Sequence, residues 1–227
     1  MSALDGLLVR LELVDQPQAR AALRRQVAIT GVADRIVEAI ATVPRHAFVP
    51  AALSRTAYVA SGNWLPSGAV LPGPAVTALI LSALDPQPDE RVLEIGTGCG
   101  YLTVLLALLA RETVTVDTID RTDGVLEAAA LANIKRGEIE GEFDAVLVGA
   151  PQPAFSPALL AGARRAVMVI GPPLGTQRLL LARAGASDAA PELFDLGPVL
   201  LPAWTLGWGP LPIPMPLPGG RMSLEGA

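Results

Sequence analysis

The sequence is short of the residues on which most catalytic chemistry is built. It has a single cysteine, Cys99, and a single histidine, His46. One cysteine excludes an internal disulfide, and one Cys with one His leaves no ligand set for a conventional zinc site, so no metal is expected. A Ser-His-Asp or Cys-His hydrolase would have to recruit His46 as its base, and the residues around it show no such constellation. Charged residues make up only 17% of the chain, the net charge is −5 and there is no basic run. Binding to nucleic acid through phosphate neutralisation is therefore not expected. Long apolar runs are missing as well. The longest clean one, Leu102 to Ala110, is too short to cross a bilayer. The start, MSALDGLLVRLELVD, carries Asp5 and Glu12 within its apolar stretch and does not read as a signal peptide, which points to the cytoplasm.

What is abundant is apolar: 51% of the 227 residues are hydrophobic, enough for one main folded domain with modest additions. Helical spacing runs from Gln18 to Thr30 and stops at Gly31; a second helix, Val32 to Thr42, ends before Pro44. The segment from Val43 to Pro74 is rich in Pro, Gly and Ser and reads as a long irregular excursion of the functional kind. A helix over Ala75–Leu84 follows. The period then alternates: strand RVLEI, helix TVLLALLA, strand VTVDTI, helix GVLEAAALA, strand FDAVLVGA, helix SPALLAGA, strand AVMVI, and a closing antiparallel pair, RLLLARAG with ELFDLGPVLL. This predicts an α/β fold of Rossmann-like type, a mainly parallel sheet with helices on both faces and ligands at the carboxyl ends of the strands. The chain divides into amino-terminal helices and a substrate-loop region (1–74), the Rossmann-like core (75–204) and a Pro-rich tail (205–227). Proline alternating with apolar residues from Pro210 to Pro218 bars helix or central strand, leaving a tail that lies extended over its own domain or docks on a second copy as a homodimer arm.

The stretch RVLEIGTGCGY, Arg91 to Tyr101, sets glycines at 96, 98 and 100 where the first core strand turns into its helix. Lacking side chains, they permit positive φ and close approach of a nucleotide-like ligand. A dinucleotide fingerprint would need glycine where Tyr101 stands, which argues against a nicotinamide dehydrogenase. The pattern E-x-G-x-G-x-G instead matches the first motif of class I methyltransferases, with Asp117 about 20 residues on, at the end of the next strand, placed to accept from both ribose hydroxyls. Glu94, an acid in an apolar strand, needs hydrogen bonds; it either satisfies amides of the glycine loop or faces the ligand's amino group, or caps structurally. Cys99 reads as a small buried filler.

VPRHAFVP (Val43 to Pro50), RVLEIGTGCGY, FDAVLVGA, the segment from Gln177 and DLGPV (Asp195 to Val199) together resemble the protein-L-isoaspartate O-methyltransferase family, in the family's order over most of Val32 to Pro202. The Arg-His-x-Phe-Val-Pro element is the most particular to it. The resemblance implies S-adenosylmethionine as donor, held by Glu94, Gly96, Thr97, Gly98, Gly100, Tyr101 and Asp117, and a protein or peptide carboxylate as acceptor, methylated where Asp or Asn has rearranged to isoaspartate. Arg45, His46 and Phe48 are expected to pack or anchor backbone rather than to act as acids or bases.

Two departures qualify it. The family's loop carries a serine that helps hold the isoaspartyl group; without a gap, that position falls on Pro72, in AVLPGP, which offers neither hydroxyl nor amide donor. Ser67 substitutes only if the loop is shifted. The interval from Asp117 to Phe143 is also shortened, leaving NIKRGEI as a short strand and Gly137 with Glu138 as an echo of the family's adenine-contacting turn. The alternatives are a divergent member with a changed acceptor or no activity, or a non-enzymatic binding or scaffold protein that keeps the fold.

Overall fold

Alternation between strand and helix makes each strand bury both faces, and the architecture follows from that. The computed structural model describes residues 4–137, 139–172, 176–185, 189–199, 215–216 and 221–223. Helices α1 (Asp5–Arg10), α2 (Pro17–Ala28) and α3 (Asp34–Thr42) open the chain. Two 3-10 helices, Arg45–Phe48 and Ala51–Thr56, and a small antiparallel pair, β1 (Asn63–Trp64) with β2 (Val70–Leu71), fill the irregular segment before α4 (Pro74–Leu84). The core comprises β3 (Arg91–Ile95), α5 (Tyr101–Leu109), β4 (Glu112–Val116), α6 (Val125–Ala129), β5 (Ile134–Arg136), β6 (Ile139–Glu140), β7 (Ala145–Gln152), β8 (Arg165–Ile170), β9 (Gln177–Arg183) and β10 (Glu192–Val199). The seven-stranded sheet has the order β10-β9-β8-β7-β3-β4-β5, parallel from β8 to β5, with β9 and β10 antiparallel.

Period-2 geometry sorts the side chains. Val92, Ala145, Leu147, Val167 and Val169 point to one face, where they join the apolar sides of α1 to α5 in a cluster running from Leu4 to Leu181. Leu93, Ile95, Val114, Val116, Val146, Val148, Ala166 and Met168 form the other. The amino-terminal helices thus share one core with the sheet.

Several elements differ from expectation. SPALLAGA supplies only a 3-10 turn, Pro157–Leu160, because Gly162 at φ +131 follows within a segment too short to repay helix nucleation. The helix expected over 124–132 contracts to α6, ended by Ala130 in the left-handed region at φ +51. β4 stops at Val116, so Asp117 is the first residue beyond the strand rather than inside it. α1 was not foreseen. Residues 205–214, 217–220 and 224–227 of the tail lie outside the described residues, but β11 (Met215–Pro216) and β12 (Arg221–Ser223) pair antiparallel, and β12 pairs with β6 of the same chain. Among the described residues no helix is long and apolar enough to cross a membrane.

The three glycines after β3 are not equivalent. Gly100 caps α5 at φ +82, and a Cβ there would meet Leu126 Cδ2 of α6 at 2.9 Å, whereas at Gly98, φ +54, a Cβ would meet nothing within 4 Å. Gly100→Ala, both strained and crowded, is expected to lower unfolding stability by about 2–3 kcal/mol, against about 1–2 for Gly98→Ala, which is strained alone. Urea unfolding of the two variants checks the order.

Candidate active site

The carboxyl ends of β3, β4 and β7 converge on a cleft of about 560 Å³, open mouth included. Its floor is the backbone of Gly96, Thr97 and Gly98. Its walls are Ala69, Val70 and Pro72 from the β1–β2 segment, Tyr101 and Leu102 from α5, and Gly149 and Ala150 from β7. Gly149 is needed for this convergence, since a Cβ on it would lie 2.6 Å from the carbonyl oxygen of Gly96. The turn is pinned by Gly96 N–H donating to Val116 O at 2.7 Å and Gly100 N–H donating to Thr97 O at 2.9 Å.

Asp117 closes one end. Its Oδ2 accepts from the Gly98 amide at 3.0 Å, and its Oδ1 accepts more distantly from the Ile119 amide (3.3 Å) and Arg121 Nη1 (3.4 Å). The pair is nearly buried, and Arg121 Nε reaches across to Ser67 O at 3.2 Å. A carboxylate has about four lone-pair positions, so these contacts leave it capacity for a further donor. Beyond Asp117 a second cavity of about 510 Å³ is lined by Thr97, Thr115, Asp117, Ile119, Asp120, Arg136 and Gly137. Here Asp120 accepts from the Thr122 amide and pairs with Arg136 at 2.7 Å, contacts that hold its carboxyl down at about 2. A Cβ on Gly137, φ +99, would also meet nothing within 4 Å. Bare backbone at Gly98 and Gly137 with a carboxylate between them fits a nucleoside-bearing methyl donor: polar at one end, apolar at the other. Glu138 lies outside the described residues.

The irregular segment is anchored by Arg45, whose side chain is fully buried. Nε donates to Ala57 O at 2.7 Å, Nη2 donates to Pro72 O at 2.6 Å, and the guanidinium sits 4.8 Å over the Tyr101 ring. Phe48 packs edge-on against Tyr101 at 5.2 Å, and His46 Nδ1 bonds Tyr58 Oη at 2.8 Å. Burial lowers the His46 pKa and pushes Tyr58 up to about 12. This element braces the cleft wall and supplies no acid or base to it. Cys99 touches the cleft, yet burial pushes its thiol up to about 11, so it stays protonated.

Three expected site residues are placed differently. Glu94 does not line the cleft and accepts no loop amide; it is fully buried below the turn, where Thr103 and Thr115 hydroxyls bond its Oε2 at 2.5 and 2.7 Å. A strand side chain one step before the turn points into the sheet's packing layer rather than along the strand. Gly100 serves helix packing, as above. Ser67 sits at the β1–β2 turn, lines a neighbouring cavity with Phe48 and Arg121, and its hydroxyl meets the Ala69 amide at 3.4 Å; the loop has not shifted it into the cleft. Pro72 does line the cleft. Sequence reasoning missed Arg121, whose signal was only a second charge four residues after Asp117, and Gly149, whose signal was a glycine inside a buried strand.

The family model described as Protein-L-isoaspartate(D-aspartate) O-methyltransferase (PCMT) matches residues 19–159. A protein-L-isoaspartate O-methyltransferase of Myxococcus xanthus is 37% identical over 183 residues, covering 73% of this chain and 86% of that one. Another, of Methylorubrum populi, is 35% identical over 208 residues, 82% and 94% of the two chains. A solved protein-L-isoaspartate O-methyltransferase shares the fold with a TM-score of 0.69 at 16% identity, over 81% of this chain and 65% of that one. With the glycine turn and the Arg45-braced wall in place, these likenesses make the chain a member of the protein-L-isoaspartate O-methyltransferase family, enzymes that use S-adenosylmethionine.

Proposed function

We propose that the protein is a cytoplasmic S-adenosylmethionine-dependent O-methyltransferase that esterifies the α-carboxylate of isoaspartyl residues in damaged proteins or peptides. The observation that supports it most directly is the open space over Gly98 beside the Asp117 carboxylate. In this reading Gly96, Thr97 and Gly98 hold the donor through bare backbone, Asp117 accepts from a ribose hydroxyl, and Gly137 leaves room for adenine. The donor supplies a methyl group on a positively charged sulfur, already a good electrophile.

The chain's own part is alignment and exclusion of water. A carboxylate with its usual pKa near 4 is ionised at neutral pH and needs no base. This suits a cleft whose nearest thiol is held protonated and whose only histidine is turned toward Tyr58. Holding two reactants in line inside a dry cleft accounts for a large share of such a barrier. The acceptor enters beside Pro72, Ala150 and Leu102, where apolar walls keep water out.

Pro72 favours a second reading, a changed acceptor, because a carboxylate there forgoes the serine hydroxyl. Incubation with labelled S-adenosylmethionine and matched isoaspartyl and aspartyl peptides separates the two. Methyl transfer to the isoaspartyl peptide alone is expected; transfer to neither, with donor bound, overturns the first reading in favour of a changed acceptor or a silent enzyme.

Pro72→Ser is expected to raise kcat/KM for the isoaspartyl peptide by roughly tenfold, the low end (about 1.5 kcal/mol) of a hydrogen bond to a charged group. The Pro72 carbonyl contact to Arg45 is retained in that variant, so its melting temperature should barely move. Gly98→Val is expected to abolish S-adenosylhomocysteine binding by filling the space above the turn, measured by calorimetry on protein whose circular dichroism remains native.

A further inference from the structure

Among the described residues Glu94 is the fully buried carboxyl of the sheet, and its surroundings there contain hydroxyls but no cation. Thr103 faces it from α5 and Thr115 from β4, both bonding Oε2, while Oε1 meets no partner among the described residues. On β7 its register partner is Leu147. The charged or titratable groups nearest it are Asp117, past the end of β4, and the Cys99 thiol in the turn; neither neutralises a negative charge. A buried carboxylate with one unpartnered oxygen and no counter-ion is costly, whereas the neutral acid leaves only an unpartnered carbonyl.

The chain of hydroxyls continues. Thr115 Oγ1 also lies 2.7 Å from Thr97 Oγ1, and either can donate. Each hydroxyl has one proton, so the direction of the whole chain is set at its closed end. A proton on Glu94 Oε2 is given to Thr115, that of Thr115 to Thr97, and that of Thr97 is released toward the two cavities it lines. With Glu94 ionised, both threonine protons turn inward and Thr97 shows the cavities only lone pairs.

We propose that neutral Glu94, acting through Thr115, makes Thr97 a hydrogen-bond donor to an acceptor oxygen or nitrogen of the bound methyl donor, so that Glu94 and Thr115 are positioning residues for the cofactor. The inference rests on the functional reading above. Burial pushes the Glu94 carboxyl up to about 8, against the pull of its two threonine bonds, so the neutral form is the resting one at pH 7. Above that range the chain reverses and the donor is lost. An amide in place of the acid keeps the direction fixed, because it gives one proton to each threonine and cannot ionise.

The test is calorimetric titration of the full chain with S-adenosylhomocysteine between pH 6.5 and 8.5. Wild type is expected to bind steadily below about pH 8 and to weaken above it, whereas Glu94→Gln keeps the affinity of the low-pH form and loses the pH dependence. Thr115→Val is expected to uncouple Thr97 from Glu94, so that binding no longer responds to pH over this range, and Thr115→Ser to restore the response. Thr97→Val, on the cleft floor, removes the donor itself and is expected to weaken binding by about tenfold at pH 7, one hydrogen bond's worth. Loss of affinity in Glu94→Gln as large as in Thr97→Val, or an unchanged pH response in Glu94→Gln or Thr115→Val, overturns the relay. No binding by wild type at any pH overturns the functional reading itself.

Discussion

The hydrogen bond from the Gly98 amide to the Asp117 carboxylate is the contact on which the site depends. It joins the ends of two neighbouring parallel strands across the top of the sheet, and it forms only because β4 stops one residue before Asp117. Had the strand run on, alternation would have set that side chain by ladder register rather than by the turn. Gly98 at φ +54 turns its amide toward the carboxylate while leaving the space above it open. One bond thereby fixes the acceptor group, the bare backbone beside it and the boundary between two cavities. The convergence of β7 adds the third side, through a glycine that lets its backbone approach Gly96.

The opposite wall is built on a different principle. A fully buried guanidinium would ordinarily be paired with a carboxylate. Arg45 instead gives Nε and Nη2 to the carbonyls of Ala57 and Pro72 and lays its face on Tyr101, with Nη1 meeting no hydrogen-bond partner among the described residues. Carbonyl dipoles and a ring quadrupole disperse the charge without introducing a second one beside the acceptor's entry. The irregular segment, which has almost no regular ladder of its own, acquires a defined path in return.

These two devices explain what could be read from residues alone. RVLEI and the glycines after it were legible because a buried strand has a strong apolar signature and left-handed turns demand glycine. The Arg-His-x-Phe element was legible through its resemblance to the family, and Arg45, His46 and Phe48 are all buried. Gly100, Glu94 and Ser67 were not. Each role is set by something distant in sequence: Leu126 for the first, Thr103 and Thr115 for the second, the conformation of the β1–β2 turn for the third. SPALLAGA had helical spacing but too few residues between its proline and glycine to hold a helix, and spacing carries no information about length.

The same distinction bears on Pro72. Arg45 grips that residue by its carbonyl, an atom every residue has, whereas a hydroxyl at this position would belong to the side chain alone. Architecture and specificity therefore reside in different atoms of one position. Proline leaves the first intact, since its fixed φ and missing amide donor do not disturb a carbonyl that accepts. It removes the second outright. A chain can keep the fold, the cleft and the braced wall under such a change. In the proposed reading, the acceptor is therefore the property that the framework constrains least.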